Sequence, residues 1–454
     1  MRNSNIASKI RDRSLSIGVI GLGYVGLPTA LSFYDEGFHV YGVDIDETVI
    51  SNLSEGRNPI FDPNLDFKTP DIRSSRWNVS SSFEETIPAC DVIIVTVPTP
   101  VSNKKKLDDS RVLEAGKSIF PHIEKNSDCI VVLESTVYPG FTSKIWGPII
   151  EDCGLKRGKD VHLAYCPERH NPGDSMNNMS SISRVIGSED ELVGSILVDL
   201  YSLITTGDVN FVGAMEIAES AKLIENVQRD INIALVNELS MILPKLNVDI
   251  EDVLEAASSK WNFHRYTPGI GVGGHCIPVD PYFLMDQANE KNSTLNLISS
   301  ARAINDKMPV YVCNQILEIM KRNGIEKTGS KVLILGWAYK PNIGDVRGSP
   351  SKHLAKNLLS HGISVDTWDP YVLESEIPTN VGYLKNIYSI EGHDLIIIAT
   401  AHNEVVNLKW SELKPKMKNP IIFDGRRCID LKILRKSGWQ VYAIGSPSED
   451  INYW

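Results

Sequence analysis

An α/β fold, with two Rossmann-like α/β domains joined by a central helical domain that contains a long helix, is expected from three features of the chain. Short apolar, β-rich runs alternate with helical segments from Ser16 to about Val212. An uninterrupted helical pattern follows, AMEIAESAKLIENVQRDINIALVNELSMIL. The alternation resumes near Ser330 and runs toward the C-terminus. Strands alternating with helices build a parallel sheet covered on both faces. A helix that is apolar nearly all round must be buried, by other domains or by a second subunit.

In chain order, residues 1–15 read as a polar arm. The first α/β domain, 16–212, contains IGVIGLG, HVYGVDI, DVIIVTVP, CIVVLEST and VHLAYCPE as strands. The central helical domain spans 213–328, and Pro244 is placed to end its long helix. The last domain, 329–454, carries KVLILGWAYK, ISVDTWDP, DLIIIATA, PIIFDG and WQVYAIG. No short-period repeat or low-complexity tract interrupts this plan.

Bulk properties narrow the function. The 454 residues allow several domains with ample core. A net charge of -11 argues against a broad nucleic-acid surface, so the cations for an anionic ligand must be gathered locally. The 7 cysteines are odd in number and lack framework spacing, which fits a reducing compartment. MRNSNIASKIRDR has no apolar stretch of the signal-peptide kind, and LIIIAT and CIVVL are too short to span a bilayer. The expectation is a soluble cytoplasmic protein with neither nucleic acid nor membrane as partner.

The segment IGVIGLGYVGLPTA sets Gly21, Gly23 and Gly26 in G-x-G-x-x-G spacing, after a strand and at the opening of a helix. Gly21 permits the tight turn, Gly23 lets the backbone approach a pyrophosphate, and Gly26 lets the helix pack on the sheet. Tyr24 and Val25 lie in the same turn. The helix N-terminus then faces the phosphates. Asp44, at the end of the second strand, is placed to accept hydrogen bonds from ribose hydroxyls and to repel a 2′-phosphate, which favours NAD over NADP. Asp46 competes for that role, and FAD is the alternative ligand.

The second chemical feature is GIGVGGHCIPVDP, Gly269 to Pro281. So many glycines before Cys276 imply close backbone approach to something. A loop thiol in polar, cationic surroundings is a nucleophile candidate, and Asp280 four residues on is a candidate base or water ligand. His275 is adjacent to Cys276, where side chains usually diverge. Cys90, Cys129, Cys153, Cys313 and Cys428 read as structural thiols. Lys222 and Asn226 share a face of the long helix, where a lysine is costly unless paired or used. His162, Cys166 and His170 have four-residue spacing, but on a strand running into a proline loop that spacing does not converge, so no metal is expected.

Taken in order, the glycine motif with Asp44, PTP at 98–100, ESTVYPG at 134–140, PERHNPGD at 167–174, the helix bearing Lys222 and Asn226, GVGGHCIPVDP, GWAYKPNIGDVRGSP at 336–350 and FDGRR at 423–427 resemble the nucleotide-sugar 6-dehydrogenases of the UDP-glucose/GDP-mannose dehydrogenase family. The resemblance runs from about Ser16 to the C-terminus. It implies an NAD-binding domain, a helical domain that forms a homodimer, and a C-terminal domain for the UDP-sugar, with the sugar between the α/β domains. It implies oxidation of a sugar C6 alcohol to the acid with two NAD⁺, for polysaccharide or glycoconjugate precursors.

By the same resemblance Cys276 captures the aldehyde as a thiohemiacetal and then carries a thioester. Lys222 and Asn226 steady the oxyanion. Asp280, with a water held by Thr136, is a base, and Glu168 takes part in thioester hydrolysis; the division of base work among Lys222, Glu168 and Asp280 stays open. Pro98, Thr99, Thr136 and Arg347 join the cofactor site. Glu168, Arg169, Arg265, Tyr266, Gly273, Lys340 and Arg426 join Lys222 and Asn226 on the substrate side, Arg265 across the dimer.

Two departures bear on the sugar. PERHNPGD stands where the UDP-glucose branch has an apolar residue and Leu after PE, and Val279 stands where that branch has Lys. Together with SKWNF at 259–263 they resemble the N-acetylhexosamine branch, which implies UDP-GlcNAc or UDP-GalNAc before UDP-ManNAc.

Overall fold

A computed structural model describes residues 3–60, 69–71, 73–100, 108–169 and 181–447. The chain forms two compact units, Met1–Glu225 with Tyr282–Lys291, and Asn226–Pro281 with Asn292–Trp454. The segment read as a central domain, 213–328, contributes to both: 213–225 and 282–291 to the first, 226–281 and 292–328 to the second.

The first unit is built on eight strands: β1 Ser16–Ile20, β2 His39–Val43, β3 Trp77–Ser80, β4 Val92–Val95, β5 Cys129–Leu133, β6 Val161–Tyr165, β7 Arg184–Ser188 and β8 Val209–Phe211. Their order is β3-β2-β1-β4-β5-β6-β7-β8. The pairs are parallel except β6 with β7. Strands covered on both faces need apolar residues at every position rather than every other one. VIIV of β4 and CIVVL of β5 are accordingly buried throughout. Alternate side chains of β5 feed opposite cores: Ile130 and Val132 join Ile17, Val19 and Phe33, whereas Val131 and Leu133 join Ile93, Phe120 and Trp146.

The N-terminal segment, expected as a polar arm, is a helix over Asn3–Asp12. Its Ile6 and Ile10, four residues apart and so on one face, are buried in the first of these cores. Lys9 Nζ lies 2.6 Å from Asp91 Oδ1 and ties the helix to the sheet.

The long helix runs from Met215 to Ile242. Pro244 falls in the 3₁₀ turn Leu243–Leu246 that follows it, and Asn247 closes that turn in the left-handed conformation at φ 56°.

The second unit repeats the plan. Strands β9 Lys331–Leu335, β10 Ser364–Trp368, β11 Gly382–Tyr383, β12 Leu395–Ile398, β13 Ile421–Asp424 and β14 Gln440–Ala443 form an all-parallel sheet in the order β11-β10-β9-β12-β13-β14. The helix Asn296–Arg322 lays Met308, Val312 and Ile316 against Val332 and Ile334 of β9. In both sheets the strand order reverses beside the first strand, between β1 and β4 and between β9 and β12. Ligands of open α/β sheets bind outside the carboxyl ends of the strands at such a reversal.

Candidate active site

At the carboxyl ends of β1 and β4 the three glycines do separate work. Gly21 has φ +89°, which an L-residue adopts only with strain, and its N–H donates to Val43 O at 2.8 Å. A Cβ on Gly26 would lie 1.8 Å from Gly21 O and 2.4 Å from Thr96 Oγ1. Only glycine lets the Gly26–Asp35 helix start against that turn. No heavy atom stands within 4 Å of where a Cβ on Gly23 would sit, so packing does not explain this glycine, whereas close approach of a pyrophosphate does. Tyr24 is 47% exposed, and Val25 precedes the first helical residue without a side-chain cap. Pro98 and Thr99 follow β4 at the same edge.

Hydrogen bonds separate the two candidate aspartates. Asp44 Oδ2 accepts from the Leu22 N–H at 2.7 Å, inside the glycine turn. Asp46 Oδ1 accepts from Thr48 N at 2.8 Å and so caps the helix Glu47–Ser54. Asp44 is the carboxylate joined to the cradle. The turn, the open side of Gly23 and this acid suit a dinucleotide.

Farther along the same edge, Glu134, Ser135 and Thr136 follow β5. Ser135 Oγ donates to Val97 O at 2.7 Å, joining the ends of β4 and β5. Glu219, buried on the long helix, accepts from the Gly140 N–H, from Thr142 N at 3.0 Å and from Thr142 Oγ1 at 2.6 Å. Burial pushes its carboxyl up, while the Thr142 hydroxyl and the backbone N–H groups oppose the shift. Glu219 thus pins the turn after Thr136 to the helix that carries Lys222, which is 9% exposed.

Glu168, just beyond β6, meets Arg184 Nη2 at 3.2 Å, and Arg184 Nη1 stands 3.7 Å from Glu134 Oε1. Arg169, expected on the substrate side, is gripped by Glu225 (Nη2 to Oε1 2.6 Å) and donates to Ser183 O at 2.9 Å. The remainder of PERHNPGD from His170 onward lies outside the described residues, as does the third member of the His162, Cys166, His170 spacing. His162 faces Asp128 at 3.6 Å, and Cys166 is buried with its thiol pushed up to about 12 by desolvation.

In the second unit a buried polar ladder fixes the glycine loop. Asn237 Oδ1 accepts from the Gly269 N–H at 2.9 Å, Asn237 Nδ2 donates to Asn305 Oδ1 at 2.8 Å, and Asn305 Nδ2 donates to Asp230, which also pairs with Arg302. Two glycines of this loop are required by packing. A Cβ on Gly273 would lie 2.5 Å from Tyr339 Cβ, and one on Gly274, at φ +92°, would lie 2.9 Å from the Tyr339 ring. The close approach that the sequence signalled is made, at these positions, to the segment after β9.

Cys276 is half-buried, and its carbonyl accepts from Val279 N at 2.9 Å and Asp280 N at 2.8 Å. That turn opens the helix Asp280–Glu290. Asp280, 2% exposed, accepts from Asn226 Nδ2 at 2.6 Å, and Asn226 is itself buried. Cys90 and Cys313, by contrast, are structural thiols pushed up to about 12 and about 11 by burial.

The loop after β9 carries Lys340, half-buried, and Arg347, which pairs with Asp345. Asp369 holds this loop: its carboxylate accepts from Trp337 N at 2.6 Å, Ala338 N at 2.8 Å, Tyr371 N at 2.9 Å and His402 Nε2 at 3.0 Å. His402 Nδ1 in turn accepts from Asn342 N at 2.9 Å. Arg426 follows β13, with Nη1 2.5 Å from where a Gly269 Cβ would stand. Two expected substrate residues have local partners: Arg265 pairs with Glu251, and Tyr266 packs on Val236, Ile250 and Leu254. Glu134, Arg184, Glu219, Asp369 and His402 are not singled out by the sequence, because their roles depend on partners far away along the chain.

Comparison with known proteins agrees over nearly the whole length. Residues 15–205 match the NAD binding domain of the UDP-glucose/GDP-mannose dehydrogenase family, 216–307 its central domain and 333–431 its UDP binding domain. A UDP-N-acetyl-D-mannosamine dehydrogenase of Methanococcus maripaludis is 35% identical over 438 residues, covering 95% of this chain and 97% of that protein. A UDP-N-acetyl-D-glucosamine 6-dehydrogenase of Pseudomonas aeruginosa is 35% identical over 422 residues, 92% of this chain and 98% of its own. The solved structure of a UDP-D-ManNAc dehydrogenase from Pyrococcus horikoshii superposes with a TM-score of 0.85 at 32% identity, covering 95% of this chain and 99% of that one.

Proposed function

The chain belongs to the UDP-glucose/GDP-mannose dehydrogenase family, and from that premise we propose that it oxidises the C6 alcohol of a UDP-N-acetylhexosamine to the uronic acid, with Cys276 as covalent nucleophile. NAD⁺, held by the glycine turn and Asp44, supplies the acceptor for both hydrides. The observation that carries the reading is the buried Asn226–Asp280 contact at the root of the helix that Cys276 precedes. It fixes, with an amide of the long helix, a carboxylate four residues beyond a half-buried thiol.

In the proposed sequence the alcohol first loses a hydride and a proton to give the aldehyde. The Cys276 sulfur then bonds to C6, and the former carbonyl oxygen takes a proton to complete the thiohemiacetal. Loss of a second hydride and the hydroxyl proton leaves a thioester. Water attacks that carbon, the C–S bond breaks, and the acid and free thiol result. Lys222 steadies charge on the C6 oxygen, a role worth roughly 3–4 kcal/mol for one fixed donor. Asp280, positioned by Asn226, and Thr136 orient the water of the base pathway. Glu168 takes the proton of the hydrolytic water. Lys340 and Arg426 hold the diphosphate, with Arg347 toward the cofactor.

The N-acetylhexosamine class is supported by the names of the relatives and by PERHNPGD and Val279 in this sequence. Those names carry two epimers, so UDP-GlcNAc is the first reading and UDP-ManNAc the second, with UDP-GalNAc completing the assay panel. A homodimer is supported by an apolar stripe left exposed on the long helix: Ile217, Ile224, Leu235 and Ile242 are 53%, 58%, 52% and 44% exposed. Ile217 and Ile224 are seven apart, as are Leu235 and Ile242, and the two pairs are separated by eleven; both spacings keep to one face of a helix and suit a seam. Among the described residues no helix is long and apolar enough to cross a membrane, and the working compartment we propose is the cytoplasm.

The test is NADH counted per sugar across the three UDP-hexosamines. Two NADH are expected for the true substrate; one would reduce the protein to an alcohol dehydrogenase. Cys276→Ser is expected to abolish acid while both ligands still bind. Acid formation at the parental rate by that variant would end the covalent proposal.

A further inference from the structure

Behind Glu168 the first unit buries a group of charges that the reaction sequence does not use. Four elements distant in sequence supply it: Glu134 at the end of β5, Cys166 and Glu168 after β6, Arg184 at the start of β7, and Tyr201 at the end of the helix Glu191–Tyr201. Arg184 is 1% exposed, Glu134 3% and Tyr201 0%. The guanidinium reaches Glu168 Oε2 with Nη2 at 3.2 Å and stands over the Tyr201 ring, 5.3 Å from its centroid. Its Nη1 lies 3.7 Å from Glu134 Oε1, the same oxygen that accepts the Tyr201 hydroxyl at 2.6 Å.

Stability alone does not account for such a group. Apolar residues of similar volume often replace a buried ion pair at no loss. What the arrangement provides is directional. Glu168 stands just past the carboxyl end of β6, on the edge of the sheet where ligands of this fold bind, and the other members lie behind it.

We propose that Arg184, steadied by Glu134 and Tyr201, is the positioning residue for the Glu168 carboxylate, and that Glu134 sets how strongly Arg184 holds it. This rests on the reading of Glu168 as the base of thioester hydrolysis. Among the described residues, the titratable groups that face Glu134 and Arg184 are Glu168, Cys166 and Tyr201. Glu134 competes with Glu168 for the one guanidinium when it is ionised, with Nη2 3.2 Å from Glu168 Oε2 and Nη1 3.7 Å from Glu134 Oε1, and releases it when protonated. Burial pushes the Glu134 carboxyl up to about 7 against the pull of Arg184, so this competition changes across the neutral range.

The experiment uses the full chain with NAD⁺ and whichever UDP-hexosamine gives two NADH. It measures kcat against pH, KM for both ligands, and the amount of Cys276 thioester by mass spectrometry of quenched samples. Glu134→Gln removes the competing charge while keeping the shape. The part of the kcat profile that follows the Glu134 charge across the neutral range is expected to be lost, because a glutamine cannot ionise. On the plateau, thioester accumulates and kcat falls about threefold to tenfold, a difference of about 0.7–1.4 kcal/mol, with KM values within about twofold.

Tyr201→Phe removes a donor that favours ionised Glu134, so the step in kcat that follows Glu134 is expected to move to higher pH; this milder variant carries the test if Glu134→Gln does not fold. A kcat profile across the neutral range identical to the parent's in both folded variants, with thioester accumulating in Glu168→Gln, would overturn the positioning role alone. Parental hydrolysis by Glu168→Gln would overturn the base reading, and the positioning role with it.

Discussion

Substituting alanine at Gly23 and at Gly26 separates ligand approach from packing inside one motif. A Cβ on Gly26 would lie 1.8 Å from Gly21 O, against an ordinary C···O contact of about 3.3 Å, so the turn or the helix must retreat by about 1.5 Å. That movement also breaks the bond from Thr96 Oγ1 to Gly21 O, now 2.7 Å. Overpacking of this kind costs about 1–3 kcal/mol and the hydrogen bond about 1 kcal/mol more. A loss of about 2–4 kcal/mol lowers Tm by on the order of 10 °C in a domain of this size. Gly23 has open space where its Cβ would stand and lacks a left-handed φ, so Gly23→Ala is expected to change stability by no more than about 0.5 kcal/mol. Its added methyl occupies the approach of the pyrophosphate and weakens NAD⁺ binding about tenfold or more, about 1.4 kcal/mol. Scanning calorimetry and titration calorimetry with NAD⁺ read the two effects separately. NAD⁺ affinity at the parental value in Gly23→Ala, or an unshifted Tm in Gly26→Ala, would refute the division of labour.

Asp44→Ala is expected to weaken NAD⁺ binding and to narrow the preference over NADP⁺, whereas Asp46→Ala, which removes a helix cap, costs about 1 kcal/mol of stability and leaves that preference intact; binding of both dinucleotides checks it. Glu219→Ala strands the Gly140 and Thr142 donors and is expected to destabilise the first unit by about 1–3 kcal/mol while slowing turnover, read by urea unfolding and kcat. Asp369 is desolvated, which alone would raise its carboxyl, but His402 and the backbone N–H groups hold it below its ordinary 3.8. A depressed folded pKa contributes stability that is present above 3.8 and lost as pH falls through the lower folded value. Asp369→Asn is therefore expected to flatten the acid side of the unfolding curve, and an unchanged slope below pH 3.8 would count against that role.

The features legible in the sequence are those in which the backbone itself constrains residue type. Gly21 and Gly26 are legible because a left-handed φ and a carbonyl in van der Waals contact admit nothing larger. The central strands are legible because burial on two faces leaves no polar position in VIIV or CIVVL. The N-terminal helix is not, because its buried face consists of Ile6 and Ile10 amid mostly polar residues, and two large apolar residues in ten do not signal a packed element until the sheet beneath them is known. Arg184 and Tyr201 are invisible for a related reason: an arginine opening a strand and a tyrosine closing a helix acquire meaning only when Glu134, 67 residues before Tyr201, is brought into hydrogen-bond distance.

The cysteine loop shows how a correct signal can carry the wrong weight. Its glycines do indicate close backbone approach, yet at Gly273 and Gly274 the approaching group is Tyr339, so the glycine content follows from packing whether or not a sugar ever enters. A loop of this kind in a protein with no catalytic thiol would need the same glycines. Function is better read from what packing does not require. The carboxylate of Asp280, 2% exposed, gives up its hydration on folding, and the buried Asn226 amide replaces part of it with a hydrogen bond of 2.6 Å. The pair is retained at the start of the helix that Cys276 introduces, and it is this polar contact, rather than the glycine-rich stretch, that singles out Cys276 from the buried thiols at Cys90 and Cys313.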